Sequence, residues 1–190
     1  MYKLTAFPKE VILRDGTTIT VRPLAEADSD ALLAFFERVP AHERYFLRDD
    51  VTSPKVIGRW TSEIDYDRQL PLVAVDHGRI VANAVLLRSK FGAYRTVAGL
   101  RVVVDADSRQ RGLGTALMKE LCDIAADAEL ERVTAEFIVG VQDEAIAASE
   151  RLGFLRAATI HELLRDEHGR PHDVAVMSLP LGKWYEWWQF

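Results

Sequence analysis

A strand, a glycine-containing loop and a helix follow one another between Leu100 and Ala126, and this succession constrains the chain more than any other stretch. The β-branched run 102–104 is typical of a strand buried on both faces. Gly112 and Gly114 then let the backbone approach a bound group closely, because neither carries a Cβ. The free N–H groups of the following helix, at the positive end of its dipole, favour a phosphate. A pyrophosphate is the expected occupant.

The spacing of this loop excludes two other nucleotide-binding motifs. A Walker A loop requires a lysine directly after its second glycine, and no lysine follows either glycine here. A dinucleotide fingerprint requires a third glycine, where this chain has Leu117. What remains is the pattern Arg109-x-x-Gly112-x-Gly114. An ordinary helix start, with glycines used only for packing, is the alternative interpretation.

This pattern resembles the cofactor signature of the GCN5-related N-acetyltransferases, a family that binds the pyrophosphate of acetyl-CoA on this loop. The segment Ala145–Phe154 resembles the family's second signature, a short helix that ends in Leu-Gly-Phe. Val21–Leu24, followed by an acidic cap and a helix, is similar to the family's first strand and helix. The resemblance implies acetyl-CoA as the cofactor and transfer of its acetyl group to a primary amine.

The resemblance also implies an α/β fold, with a mixed, mostly antiparallel, twisted sheet flanked by helices and a parallel strand pair that splays apart. We expect one N-acetyltransferase domain over residues 1–190. Sequence patterns indicate an N-terminal hairpin over residues 10–22, a second hairpin over residues 72–87 and a strand over residues 132–139. That last strand is predicted to run parallel to the one before the loop, because a helix connects the two.

Composition limits the location and the partners. The chain has 48% hydrophobic and 28% charged residues, no apolar run long enough to span a membrane and no signal peptide, so we expect a cytoplasmic protein without a membrane partner. Its net charge of -5 argues against nucleic acid and favours a cationic, amine-bearing acceptor. Cys122, the single cysteine, is predicted to lie in the core. No spacing of Cys and His indicates a metal site.

Three of the four tryptophans lie in the C-terminal tail, residues 181–190. An exposed aromatic tail would form an adhesive patch, so we expect it to pack on the chain itself or on a second copy in a homodimer. A membrane or ligand role is the alternative.

The resemblance assigns acetyl-CoA to the loop, to the splayed strand and to the start of the second-signature helix. Either Val103 or Val104 would donate its N–H to the thioester oxygen. The predicted cofactor-binding residues are Val102, Val103, Val104, Arg109, Gln110, Arg111, Gly112, Leu113, Gly114, Thr115 and Gln142.

The catalytic residues depart from the family pattern. Ser149 occupies the position where relatives often have a tyrosine that protonates the departing thiolate, and residues 97–104 lack the carboxylate that many relatives use as a base. Glu136 is the predicted base, since a carboxylate within an apolar strand is costly to bury without a purpose. An outward-facing Glu136 in a salt bridge to Arg101 or Arg132 is the alternative, and a strand histidine, His161, is a second candidate.

Glu43 and Tyr45, in a charged connector, are predicted to contact the acceptor. That acceptor could be a small amine, an amino acid or a protein lysine, because the N-terminal half also resembles bacterial protein-lysine acetyltransferase domains. A catalytically silent CoA-binding sensor and an interaction module that uses the aromatic tail are the alternatives.

We expect Gly112→Asp to abolish binding of acetyl-CoA, because the aspartate conflicts with the pyrophosphate both sterically and in charge. Calorimetry measures this directly. An unchanged affinity would remove the assignment of the loop.

Overall fold

The computed structural model describes residue 2 and residues 4–182, so the tryptophans of the predicted tail lie outside the described residues. No helix in the described part of the chain is long and apolar enough to cross a membrane. The strands are β1 (Lys9–Ile12), β2 (Thr18–Pro23), β3 (Gln69–Asp76), β4 (Arg79–Arg88), β5 (Val97–Val104), β6 (Arg132–Ile138), β7 (Leu155–Arg165) and β8 (Pro171–Pro180). The α-helices are α1 (Ser29–Arg38), α2 (Ala41–Arg44), α3 (Pro54–Ser62), α4 (Leu113–Asp127) and α5 (Asp143–Arg151).

The strands form one mixed sheet in the order β1-β2-β3-β4-β5-β6-β8-β7. Neighbouring strands are antiparallel except for β5 and β6, which are parallel because α4 connects them. The predicted fold class and the predicted parallel pair are therefore confirmed. The N-terminal hairpin is present as well, with Gly16 at a φ of +83° in its turn.

Two apolar layers cover the sheet. On one face, Leu32, Phe35 and Phe36 of α1 pack with Ile57 of α3. On the other face, α4 and α5 cover the larger cluster, which includes Cys122 as predicted. Burial raises the pKa of this thiol to about 12, as expected for a cysteine that packs as an apolar side chain.

The parallel pair separates halfway along its length. β5 pairs with β6 only from Val97 to Leu100, whereas its pairing with β4 continues to Val104. β6 in turn stays paired with β8 as far as Ile138. The opening therefore begins at Arg101, and the predicted cofactor-binding residues Val102, Val103 and Val104 lie beyond the last residue of β5 that pairs with β6.

The start of α1 depends on one ion pair. The Arg22 guanidinium donates to both carboxylate oxygens of Asp28, at 2.6 and 2.7 Å, and Asp28 also accepts the N–H of Ala25 at 2.8 Å. Asp28 is the N-cap residue of α1, in agreement with the acidic cap expected after Val21–Leu24, but its side chain binds the residues before the helix. Its hydrogen bonds to Arg22 are the main reason why the pKa of this buried carboxyl is lowered.

We expect Asp28→Asn to lower the free energy of unfolding by about 1–3 kcal/mol at pH 7, because the amide cannot replace two charge-assisted hydrogen bonds. Since the pKa of Asp28 is lower in the folded protein, its stabilising contribution is complete above the ordinary aspartate value. It is lost as the pH falls through the folded value, so the difference between the proteins should shrink in acid. Urea unfolding at neutral and acid pH measures it.

Asp127→Asn, at an exposed aspartate, is the control and should change the stability by less than about 0.5 kcal/mol. A difference between Asp28→Asn and wild type that stays constant down to pH 2 would contradict the assignment.

Candidate active site

The glycine loop presents unpaired donors. Gly112 is the N-cap residue of α4 with a φ of +90°, a conformation that favours glycine, and no side chain caps this helix. The first backbone bond of the helix runs from the N–H of Ala116 to the carbonyl of Gly112 at 3.0 Å. Among the described residues, the N–H groups of 113–115 have no acceptor. They therefore remain available for an anion, as the sequence predicts.

These donors face a cleft of about 900 Å³ that lies between the separated strands and continues along α4 and α5. All but one of the predicted cofactor-binding residues line it, namely Val102, Val103, Val104, Arg109, Gln110, Gly112, Leu113, Gly114, Thr115 and Gln142. Loop, strand and helix residues that are up to forty positions apart in the chain thus meet at one site.

Arg111 is the exception. Its guanidinium donates to the Asp15 carboxylate and to the Thr17 hydroxyl, so it ties the loop to the N-terminal hairpin. Arg14 of that hairpin lines the cleft instead, and a Cβ at Gly112 would lie 3.3 Å from the Arg14 Nε. The hairpin therefore contributes the cation that the sequence analysis assigned to Arg111.

Arg109 and Glu43 form the strongest ion pair of the cleft. The guanidinium donates to both carboxylate oxygens of Glu43, at 2.7 and 2.6 Å, and its Nε donates to the carbonyl of Val104 at 3.1 Å. These hydrogen bonds to Glu43 raise the pKa of Arg109. Glu43 was predicted to contact the acceptor, but it lies in the cofactor cleft and orients Arg109.

The backbone N–H and C=O groups of successive β5 residues point to opposite edges of the strand. The N–H of Asp105 donates to the carbonyl of Val81 of β4 at 2.9 Å, whereas the carbonyl of Ala98 accepts a bond from the Thr134 hydroxyl of β6 at 3.3 Å. Because successive residues of a strand point their backbone groups to opposite edges, Val103 faces β4. Val102 and Val104 then face the opening, which favours Val104 of the two predicted oxyanion donors.

A second cavity, of about 240 Å³, lies on the opposite face of the sheet. We call it the acceptor cavity. Its apolar wall includes Leu24, Leu32, Phe36, Val51, Trp60 and Ile64, and its polar residues are Arg48, Asp49, Arg59, Gln69, Asn83 and Arg101. Val103 and Leu47 line both the acceptor cavity and the cleft, so the two spaces meet beside β5.

The connector between α1 and α3 covers this meeting point. Glu43 holds it to Arg109 on the cleft side, and Arg48 holds it to Glu136 of β6 at 2.9 Å. We call residues 43–48 the strap. The strap therefore crosses the separated strands and is held in place by an ion pair at each end.

The structure differs from the sequence analysis at Glu136. The side chain is 55% exposed and lines neither described cavity. The outward orientation agrees with the alternative interpretation, but its partner is Arg48 and not Arg101 or Arg132. The premise that Glu136 is buried is wrong, because β6 presents this residue on the open side of the sheet. Its role as a base stays a prediction.

Ser149 and Tyr45 lie outside the lining of both cavities. The Ser149 side chain is fully buried, and its hydroxyl donates to the carbonyl of Ile146 at 2.7 Å. The α5 residues that line the cleft are Asp143, Glu144, Ala145, Ala147, Ala148 and Arg151. Tyr45 is 55% exposed. Neither residue is positioned to touch a ligand in these cavities.

Gln142 has a structural task in addition to lining the cleft. Its side-chain oxygen accepts the N–H of Ile138 at 2.8 Å, which caps the end of β6.

His161, the second candidate base, bonds to Asp173 on the exposed β7–β8 hairpin.

Among the residues of the site that sequence reasoning did not identify are Arg14, Asn83 and Arg101. Arg101 could have been identified from the sequence, because it is a single charged residue within an apolar strand. The same argument selected Glu136. Arg14 and Asn83 had no such signal, because each reaches its cavity through contacts with a distant segment. The N–H of Arg14 bonds to the carbonyl of Arg111 in the loop at 3.0 Å, and Asn83 lies opposite Val103 of β5.

Comparisons with known proteins agree with this geometry. Residues 27–154 match the family model described as Acetyltransferase (GNAT) family. None of the curated proteins compared with the chain matches it.

Similar solved structures include yncA from Salmonella typhimurium with its cofactor acetyl-CoA, at 21% identity over 88% of this chain and 96% of that one, with a TM-score of 0.76. A GNAT-family acetyltransferase from Streptococcus pneumoniae is 22% identical over 86% of this chain and 99% of that one, with a TM-score of 0.75. A phosphinothricin acetyltransferase from Sinorhizobium meliloti, in complex with acetyl-CoA, is 23% identical over 87% of this chain and 90% of that one, with a TM-score of 0.73.

We expect Arg14→Gln to weaken the binding of acetyl-CoA about threefold, or ~0.7 kcal/mol, because an exposed cation beside a phosphate contributes modestly. Calorimetry at low and high salt measures it, and the difference should diminish as salt screens the charge. Arg79→Gln, beside the turn of the β3–β4 hairpin, is the matched control. Equal losses in the two variants would contradict the role of Arg14.

Proposed function

The chain belongs to the GNAT acetyltransferase family, and we propose that it transfers the acetyl group of acetyl-CoA to the primary amine of an acceptor bound in the acceptor cavity. The observation that carries this proposal is the pair of cavities that meet at Val103, one ending on a helix N-terminus with unpaired donors and the other enclosed by apolar and polar side chains. This arrangement supports a reaction between two separately bound molecules.

Acetyl-CoA is the cofactor of this family, and the cleft offers groups that suit each part of it. The N–H groups at the start of α4 and the Arg14 guanidinium would hold the pyrophosphate. The free backbone groups of Val102 would pair with an amide of the pantetheine arm, in the way that a peptide adds to a strand edge. The N–H of Val104 is the candidate donor to the thioester oxygen, where charge develops during attack.

Asn83 supports the binding of an amine on the other side. It is 6% exposed and lines the acceptor cavity, and its amide nitrogen donates to the carbonyl of Leu72 at 3.2 Å. Among the described residues, its side-chain oxygen has no donor. An unpaired acceptor in the cavity lining suits the N–H of a bound amine, because polar groups that a ligand covers are normally satisfied.

The transfer needs no covalent intermediate on the protein. The amine nitrogen attacks the thioester carbon, the carbon–sulfur bond breaks, and one proton passes from the nitrogen to the departing thiolate, so the products are an amide and a free thiol. An amine that arrives protonated must first lose its extra proton to a base. Asp49 is the only carboxylate that lines the acceptor cavity in the described part of the chain, and we assign it that step in preference to Glu136.

Release of free thiol from acetyl-CoA, measured against a panel of amines, tests the proposed reaction. We expect thiol release that depends on the amine, with one acetylated amine formed for each thiol released. Tight binding of acetyl-CoA without thiol release across a broad panel would support the alternative of a silent CoA-binding sensor.

The pH dependence of kcat/KM separates the two candidate bases. Asp49→Asn should flatten the acid limb of the profile and lower the rate near neutral pH, because the amide cannot accept the proton. Glu136→Gln should keep the acid limb. The opposite outcome would return the role to Glu136, and two unchanged profiles would exclude both carboxylates.

A further inference from the structure

The acceptor cavity carries a local excess of positive charge. Arg48, Arg59 and Arg101 line it, and among the described residues Asp49 is the only acidic side chain in the lining. The chain as a whole has a net charge of -5, from which a cationic acceptor was expected. The charges that face the cavity have the opposite sign and favour an anion, since a concave site concentrates the field of the groups around it.

Two of these arginines already have acidic neighbours. Arg48 bonds to Glu136 at 2.9 Å, and Arg59 lies 4.0 Å from Asp49. Arg101 forms neither a hydrogen bond nor an ion pair with another described residue. The cavity thus contains one guanidinium without a directly bonded partner among the described residues, which matches an acceptor group with a single negative charge.

The surroundings of Arg101 make a bound anion favourable. Desolvation, and next the charge of Arg48, lower the pKa of this guanidinium, although an arginine remains charged at neutral pH. Arg101 is exposed, so a ligand can reach it, and the charges of Glu136 and Asp49 attract it without bonding to it. A bound anion would supply the direct partner that this guanidinium lacks among the described residues.

The rest of the acceptor cavity suits an apolar body. Leu24, Leu32 and Phe36 belong to the buried core and form one side, and Trp60 lies beside them. The volume of about 240 Å³ lies below the ~300–1,000 Å³ typical of drug-sized ligands. The occupant is therefore a small molecule, or a small part of a larger one.

We propose that the acceptor is a small amine with an apolar body and a carboxylate, and that Arg101 binds this carboxylate. The proposal rests on the proposed function, since it names the acceptor of that reaction. A guanidinium matches a carboxylate with two parallel hydrogen bonds. Arg101 and Val103 lie two residues apart on the same face of β5, about 7 Å along the strand, so the amine of one small molecule can reach the meeting point of the two cavities.

A protein lysine does not fit these observations. Its amine is a cation at the end of a long apolar chain and brings no anion to Arg101. The proposal therefore favours the amino acids among the acceptors that the sequence analysis left open.

The test measures binding without turnover. We would titrate the wild-type chain, saturated with CoA, with 4-methylpentanoate and with 4-methylpentanamide, which share an apolar body and lack an amine. The carboxylate should bind at least tenfold more tightly than the amide. Arg101→Gln should reduce this preference to less than twofold, and Arg101→Lys should retain part of it. Arg156→Gln, at an exposed arginine of β7, is the control and should leave it unchanged.

The proposal would be overturned if the two ligands bound equally, if the amide bound more tightly, or if neither bound. It would also be overturned if the preference for the carboxylate survived Arg101→Gln. Thermal unfolding of each variant verifies that it is folded. This outcome is independent of thiol release. Turnover without a carboxylate preference would refute only the acceptor class, and a carboxylate preference without turnover on any amine would refute only the acetyl transfer.

Discussion

The site depends on the loss of pairing between β5 and β6 after Leu100. Both strands keep their outer partners beyond that point, so the sheet stays intact while its middle opens. Unpaired backbone groups in the middle of a sheet are costly unless a ligand or water satisfies them. The opening therefore combines free donors with a route between the two faces of the sheet. The cofactor cleft and the acceptor cavity meet at this route because Val103 belongs to both.

The strap covers that opening and determines which side chains surround it. Its two ion pairs, Glu43 with Arg109 and Arg48 with Glu136, join the N-terminal half of the chain to the cofactor loop and to β6. Leu47, between them, contributes to both cavities. The sequence analysis assigned Glu43 to acceptor contact and Glu136 to base catalysis. In the structure each of them bonds to an arginine. Among the described residues, Asp49 is then the carboxylate in the lining of the acceptor cavity and Arg101 the lining cation without a directly bonded partner.

Much of the fold and of the cofactor cleft could be predicted because their signals are local. The spacing of Gly112 and Gly114 and the apolar period of the next helix specify a strand, a loop and a helix N-terminus within one continuous segment. The acceptor side could not be predicted in the same way. Glu136 was placed in an apolar strand correctly, but the face that it occupies depends on how β6 pairs with β8. Ser149 was placed on the right helix, but α5 turns this residue into the core.

The sequence by itself determined the parallel pair joined by a helix and the anion loop, because turn chemistry, hydrophobic period and glycine spacing act within a few residues. The α/β class followed from the resemblance of its motifs to the family. Only the tertiary structure decided that Arg14 replaces Arg111 at the cleft, that Glu43 serves Arg109, and that the acceptor cavity is positively charged within an acidic chain. The physical reason is that charges interact through space. The net charge at a site depends on which charged side chains the sheet and the strap bring together. The overall composition gives only the sum over the whole chain.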